Sequence, residues 1–249
     1  MRKLVVAGCA LAVGLTMTAA AKDRILFVGA HPDDTEGFAA TAFLLKDAYE
    51  LHVIDQTRGE NGLGLAGRLD GSTEAIRVRE ERNACALLGA TPHFLHDVNG
   101  ARQMNRISID ALTHLFTNLN PVAVFTHWPV DLHPDHIHTT AAVQNALELS
   151  GLKPEVYFYE VLPAETRNWH PIYSVDVTRT LPDKVKLLRA YACQNDDDSL
   201  VRCKVAQAKQ RGAERTPPVG AAETFTTFDG RPIPGGVLER LAECAAIKR

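Results

Sequence analysis

Short apolar runs alternate with helical patterns along most of this chain, and that alternation restricts its fold more than any other feature. RILFVGA (24–30), ELHVIDQT (50–57), PHFLHDV (92–98) and PVAVFTHW (121–128) have the length and burial character of strands. Helical stretches follow them at 36–49, 73–90, 108–120 and 137–151. Phe38, Ala42 and Leu45 share one helix face, and Ala84, Leu87 and Leu88 another; Ile109, Leu112, Phe116 and Leu119 form a longer stripe. Strands alternating with helices build βαβ units and a mostly parallel sheet, whose strands are apolar throughout because both faces are covered. The expected fold is a single α/β domain, Rossmann-like, with a mostly parallel sheet flanked by helices. The last third is less regular: EVYFYEVLP (155–163) and YSVDVT (173–178) read as strands, 182–194 and 199–214 as helices. No linker or internal repeat interrupts the chain, and 249 residues with 45% hydrophobic content suffice for one sizeable core.

The first 21 residues are set apart from this domain. MRK is a basic start, LVVAGCALAVGLTM an apolar run, and Ala19-Ala20-Ala21 a small-residue cleavage site before Lys22. This is the pattern of a secretory signal peptide, so the domain is expected over 22–249, in the periplasm or outside the cell. A retained anchor is the rival reading, but the run is shorter than the ~20 residues a span requires, and no span is expected in the mature chain. A lipoprotein reading through Cys9 would leave almost no apolar run before the cysteine. Export permits disulfides among Cys85, Cys193, Cys203 and Cys244. Cys193 and Cys203 flank a polar turn and are the pair to test against four free thiols. The net charge of −3 argues against a nucleic-acid partner.

Two clusters carry the chemistry. His31-Pro32-Asp33-Asp34 follows the first strand, and DLHPDHIH (Asp131 to His138) follows PVAVFTHW. In an open parallel sheet, ligands bind at the carboxyl ends of strands, so the topology brings both clusters to one edge. Histidine nitrogens and carboxylate oxygens suit zinc, and a catalytic zinc takes three protein ligands and leaves a position open. Six polar groups, His31, Asp33, Asp34, His133, Asp135 and His136, exceed that need, and the surplus can serve as base, electrophile and support. Pro32 and Pro134 stiffen each loop. Taken singly, a histidine after a strand is more often a cap or core residue, and Asp34 or Thr35 could cap the next helix. Two His-Pro-Asp clusters after two buried strands make coincidence a poor account.

AHPDDTE and HPDH resemble the PIG-L-type (LmbE-like) family of zinc-dependent de-N-acetylases, and the likeness runs over most of the mature chain. QTRGENG, the R-x-x-E pair Arg77 and Glu80, FLHDVNG, KVKLLRAYACQ and AETF (222–225) are similar to its weaker elements. The resemblance implies one zinc per chain held by His31, Asp34 and His136. It implies Asp33 as general base, His133 as oxyanion stabiliser or acid, Asp135 orienting His133, and Arg77 contacting substrate. It further implies an N-acetylglucosamine-like sugar or glycoconjugate as substrate, and self-assembly as a homo-oligomer, although no interface is legible. Trp128 beside the second cluster is a departure expected to reshape the pocket.

The expected reaction is acetamide hydrolysis, with Asp33 taking the proton of water and passing it to the leaving amine. The rivals are an amidase for a larger acyl or thiol conjugate at the same metal site, a facial-triad iron enzyme, and a non-catalytic sugar-binding module. A binding module has no use for a base beside the ligands. There is no G-x-S-x-G for a serine hydrolase and no P-loop lysine in TRGENGLG.

Overall fold

The computed structural model describes residues 21–62, 72–100 and 105–247. Residues 1–20 of the segment read as a signal peptide, and residues 63–71 between the second strand and the helix that follows, lie outside the described residues. One eight-stranded sheet runs through the domain in the order β3-β2-β1-β4-β5-β7-β6-β8. The strands are β1 (Arg24–Gly29), β2 (Glu50–Thr57), β3 (Thr91–Asp97), β4 (Ala123–His127), β5 (Glu155–Tyr159), β6 (Tyr173–Asp176), β7 (Ala222–Thr226) and β8 (Cys244–Ala246). β3, β2, β1, β4 and β5 pair in parallel, and β7, β6 and β8 add an antiparallel edge. This is the α/β architecture expected from the apolar runs.

The helices are α1 (Ala39–Leu45), α2 (Ser72–Leu88), α3 (Arg106–Leu119), α4 (Pro134–Ser150), α5 (Leu181–Leu188) and α6 (Ser199–Glu214). β1 shows why its run reads as continuous: Ile25 and Phe27 enter the core with residues of α1, α2 and α5, while Leu26 and Val28 enter the other with α3 and α4. The predicted α3 stripe is fully used on that second face, where Leu112 and Phe116 are completely buried. Asn105 caps α3 through its side chain, which accepts from the Ser108 amide.

Three expectations needed correction. The helix expected over 36–49 is a 3-10 turn, Asp34–Gly37, followed by the short α1, because Phe38 leaves helical geometry at φ −137°. The helix expected over 182–194 stops at Leu188 and resumes as a 3-10 turn at Ala192–Gln194. Neither β7 nor β8 was expected as a strand; AETF in β7 was noted only as a family-like element, and β8 is three residues long and carries no alternation to read. The four cysteines of the domain are free thiols, so Cys193 and Cys203 are not joined. Among the described residues, no helix is long and apolar enough to cross a membrane.

Candidate metal centre

β1 and β4 are neighbours, yet β1 leads to β2 on one side and β4 to β5 on the other. That reversal opens a crevice at the carboxyl edge, where open α/β sheets bind their ligands. Both His-Pro-Asp clusters lie there. The second is the start of α4: His133 is its N-cap, Pro134 its first residue, and Asp135 and His136 lie in its first turn. Proline is suited to that position because the amide it lacks would have no helical partner.

Asp34 forms the floor. Its Oδ2 accepts from the amides of Ala30 at 2.7 Å and His31 at 2.8 Å, and lies 3.1 Å from His127 Nε2. It is therefore a ligand-like carboxylate turned back on its own loop, and no side chain caps the 3-10 turn that it begins. A Cβ on Gly29 would come within 2.8 Å of Asp34 Cβ, so only glycine at the end of β1 lets the carboxylate sit this deep. Asp34 Oδ1 is 3.6 Å from His136 Nε2, and Oδ2 is 3.7 Å from His31 Nδ1.

His31, His133 and His136 bring ring nitrogens within 4.8 Å of one another, and Asp34, His127 and His136, like Asp131, His136 and Glu165, bring nitrogens and carboxylate oxygens as close. His136 is common to all three groups. The trio His31, Asp34 and His136 is not among these groups, although Asp34 stands within 3.7 Å of a ring nitrogen of each of the two histidines. His136 and His31 are each held through one ring nitrogen by a carboxylate. His136 Nδ1 is 3.2 Å from Asp131 Oδ1, and His31 Nε2 is 3.2 Å from Asp135 Oδ2. Such carboxylate–histidine pairs fix ring orientation and raise ligand basicity in metal sites.

Burial opposes ionisation of Asp34, but His127 and His136 hold its carboxyl well below the ordinary carboxylate range. Burial also depresses His136, yet Asp34 and Asp131 lift it to about 9. His127 is fully buried, and burial with the neighbouring His136 charge pushes it down to about 4, so its ring is neutral. Burial, with His136 and His31, likewise holds His133 below its usual value. The carboxylates thus demand positive charge, which the His136 proton supplies and a divalent cation would supply in its place. The nitrogen and oxygen donor set fits zinc.

Asp33 has a different environment from its neighbour. Its backbone sits at φ 128°, a region L-residues rarely adopt, and such strain concentrates at functional sites. Arg77 Nη2 donates to Asp33 Oδ1 at 2.7 Å and to the Pro32 carbonyl, and Nη1 donates to the Gly62 carbonyl at 3.0 Å. Gly59, at φ 66°, lets the loop lie against the Arg77 side chain. Burial pushes the Asp33 carboxyl up to about 7 against the pull of Arg77.

Two expected roles meet different partners. Arg77 lines the cleft at 5% exposure, and its guanidinium is engaged by Asp33 and two carbonyls, so it also holds the loop. The Asp135 carboxylate bonds His31 and the Gly100 amide, whereas its backbone amide, not its carboxylate, bonds His133 Nδ1. Trp128 packs edge-on to Phe158 and Trp169 and does not line the cleft. The cleft itself has about 430 Å³ and is lined by His31, Asp33, Asp34, His133 and His136 together with Asn61, Asn99, Gln194 and Glu165. His127 and Asp131 were not assigned roles from sequence. The only signal was a histidine ending an otherwise apolar buried strand, and an aspartate two residues before the second motif.

The PIG-L family model, described as GlcNAc-PI de-N-acetylase, matches residues 26–147. The chain is 31% identical over 156 residues to the uncharacterised deacetylase YaiS of Escherichia coli, covering 59% of this chain and 78% of that protein. The N,N'-diacetylchitobiose deacetylase of Pyrococcus horikoshii superposes with a TM-score of 0.67 at 24% identity, over 84% of each chain. GalB, the 4-carboxy-2-hydroxymuconate hydratase of Pseudomonas putida, superposes with a TM-score of 0.74 at 22% identity, over 85% of this chain and 98% of GalB. At such identities the two superpositions speak for the fold alone. With both His-Pro-Asp loops at one sheet edge, the family match over the β1–α4 half and the identity to YaiS, the chain belongs to the PIG-L family.

Proposed function

We propose that the protein is a zinc-dependent hydrolase that removes the N-acetyl group from an N-acetylglucosamine-like sugar or glycoconjugate. The observation that carries this reading is the division between two adjacent carboxylates. Asp34 is sunk among histidines, while Asp33 faces the cleft with one oxygen clamped by Arg77 and the other uncommitted. Family membership, and the deacetylase names of YaiS and the Pyrococcus enzyme, support the same reaction.

The atoms left over by the hydrogen bonds name the ligands. His31 would bind through Nδ1, because Nε2 is taken by Asp135, and His136 through Nε2, because Nδ1 is taken by Asp131. Asp34 would use Oδ1, since Oδ2 receives two backbone amides. When bound, the zinc lowers the pKa of water and polarises an amide carbonyl. Asp33 Oδ2 takes a proton from the attacking water while Arg77 steadies Oδ1, and then returns it to the departing amine; a base of this kind contributes ~10²–10⁴ in rate. His133 Nδ1 accepts from the Asp135 amide, which leaves the proton on Nε2. That neutral N–H can donate to the growing oxyanion, a contact of the type worth ~10²–10³. Asn61, Asn99 and Gln194 offer amide groups to sugar hydroxyls along the cleft.

The N-terminal pattern supports export of this chemistry from the cytoplasm, and the size and compartment of the protein recovered from fractionated cells test that. The activity is tested by acetate release from a panel of N-acetylated amino sugars by zinc-loaded protein, beside Asp33→Asn. Release by the wild type, with at least about a hundredfold loss in a variant that still holds zinc, is the expected result. Zinc binding without release from any sugar would redirect the reading to a larger amide. Stoichiometric iron in place of zinc would refute the metal assignment.

A further inference from the structure

Helix α2 presents two charged side chains to the first motif, four residues apart on one face. Arg77 grips the Asp33 side chain, as described above. Glu81 is different: it is fully buried and does not line the cleft. Its Oε2 accepts the Asp33 amide at 3.1 Å and the Tyr191 hydroxyl at 2.8 Å, and its Oε1 accepts the Cys85 thiol at 3.2 Å. Tyr191 is 1% exposed, and its hydroxyl also meets Thr35 Oγ1, one residue beyond Asp34.

A carboxylate with no exposure is expensive to bury. Among the described residues Glu81 has no cation as an ion-pair partner, so its burial is not explained by a salt bridge. Its carboxylate instead receives a single backbone amide, that of the residue at φ 128°. That backbone conformation is strained and persists only where the surroundings over-determine it. Arg77 and Glu81 supply that surplus from one rigid helix, one through the side chain of Asp33 and the other through its main chain. Tyr191, from the turn after α5, fixes Glu81 in turn.

We infer that Glu81 and Tyr191 are positioning residues for Asp33. Glu81 holds the strained amide so that the Asp33 carboxylate points into the cleft, and Tyr191 holds Glu81. The inference rests on Asp33 acting as the base in the proposed hydrolysis. A misplacement of about 1 Å in a reacting group costs on the order of a hundredfold in rate, which sets the scale of the effect.

The test is a double-mutant cycle on the zinc-loaded full chain, reading kcat, KM and zinc content. Glu81→Gln is expected to lower kcat by about 10- to 100-fold, with KM within about twofold and zinc stoichiometry unchanged. Tyr191→Phe, which removes one oxygen and keeps the ring packing, is expected to lower kcat by about three- to tenfold, and decides the matter if Glu81→Gln does not fold. Added to Asp33→Asn, either change is expected to cost less than about twofold, because the group it positions is already gone. Equal losses in the wild-type and Asp33→Asn backgrounds would overturn the inference, as would wild-type kcat in both single variants or loss of zinc alongside activity. Wild-type turnover by Asp33→Asn alone would sink the base assignment, and it is read from a variant that leaves Glu81 and Tyr191 untouched.

Discussion

Replacing Asp131 should loosen zinc without touching a proposed ligand, and the structure sets how much. Asp131 Oδ1 accepts from the His133 amide at 2.8 Å and lies 3.2 Å from His136 Nδ1; Oδ2 accepts from Thr166 Oγ1 at 3.0 Å. Asparagine has the same shape. Its carbonyl can still face His133 and His136, and its amide can donate to the Thr166 hydroxyl, so Asp131→Asn removes little beyond the charge. Partners of metal-bound histidines are worth about 10- to 100-fold in affinity, or about 1.4–2.7 kcal/mol. Asp131→Asn belongs near the tenfold end. Asp131→Ala frees the His136 ring, strands the His133 amide and belongs near the hundredfold end. Its three lost hydrogen bonds, at about 0.5–1.5 kcal/mol each, should also lower stability by a few kcal/mol. Zinc competition against a chromophoric chelator reads the affinities, and urea unfolding of the metal-free proteins reads the stabilities. If Asp131→Asn bound zinc like the wild type, the charge would be irrelevant to the metal. If Asp131→Ala lost stability but kept its affinity, Asp131 would be a loop anchor and the orienting role assigned to it would be wrong.

Two further outcomes concern the fold around the site. Lys204 is 1% exposed, donates to the Val161 carbonyl and pairs at 2.8 Å with Glu36, which lines the cleft. Lys204→Met should cost about 3–5 kcal/mol, because it leaves a buried carboxylate unpaired; a loss under about 1 kcal/mol in denaturant unfolding would contradict that. Burial holds His52 and His93 below the ordinary histidine value of 6.5, and their rings meet at 3.0 Å across β2 and β3. Below that value the unfolded chain binds protons that the folded rings refuse, so stability should fall as pH drops from about 6.5 through the lower folded values. Tm measured against pH should show this slope, and His93→Gln should flatten it; an unchanged slope would mean other groups dominate.

The parallel half of the sheet was legible because its signal is local. β1, β2 and β4 are apolar runs between helical stripes, and such runs need no knowledge of the rest of the chain. Where a local signal was absent or misleading, the reading slipped. Phe38 and the turn after Leu188 break helices that periodicity would continue, and β8 is held by its pairing with β6 rather than by its own residues. The candidate site followed the same rule. His31, Asp34, His133 and His136 were found because each lies within a short motif after a strand. His127, Glu81 and Tyr191 were given no role because, although His127 ends an apolar strand and the other two lie in or beside recognised segments, their partners are distant in the chain.

The amino-acid sequence by itself determined the layered α/β architecture, the edge at which the two motifs meet, and the nitrogen and oxygen donors available there. Those follow from periodicity, proline-stiffened loops and residue type, all of which act over a few residues. Only the tertiary structure decided which atom of each histidine is free, that Arg77 serves the loop, and that a buried carboxylate 48 residues away holds the Asp33 amide. Hydrogen bonds are directional and short-ranged, so their partners depend on how distant segments are packed, and no pattern in the chain announces them.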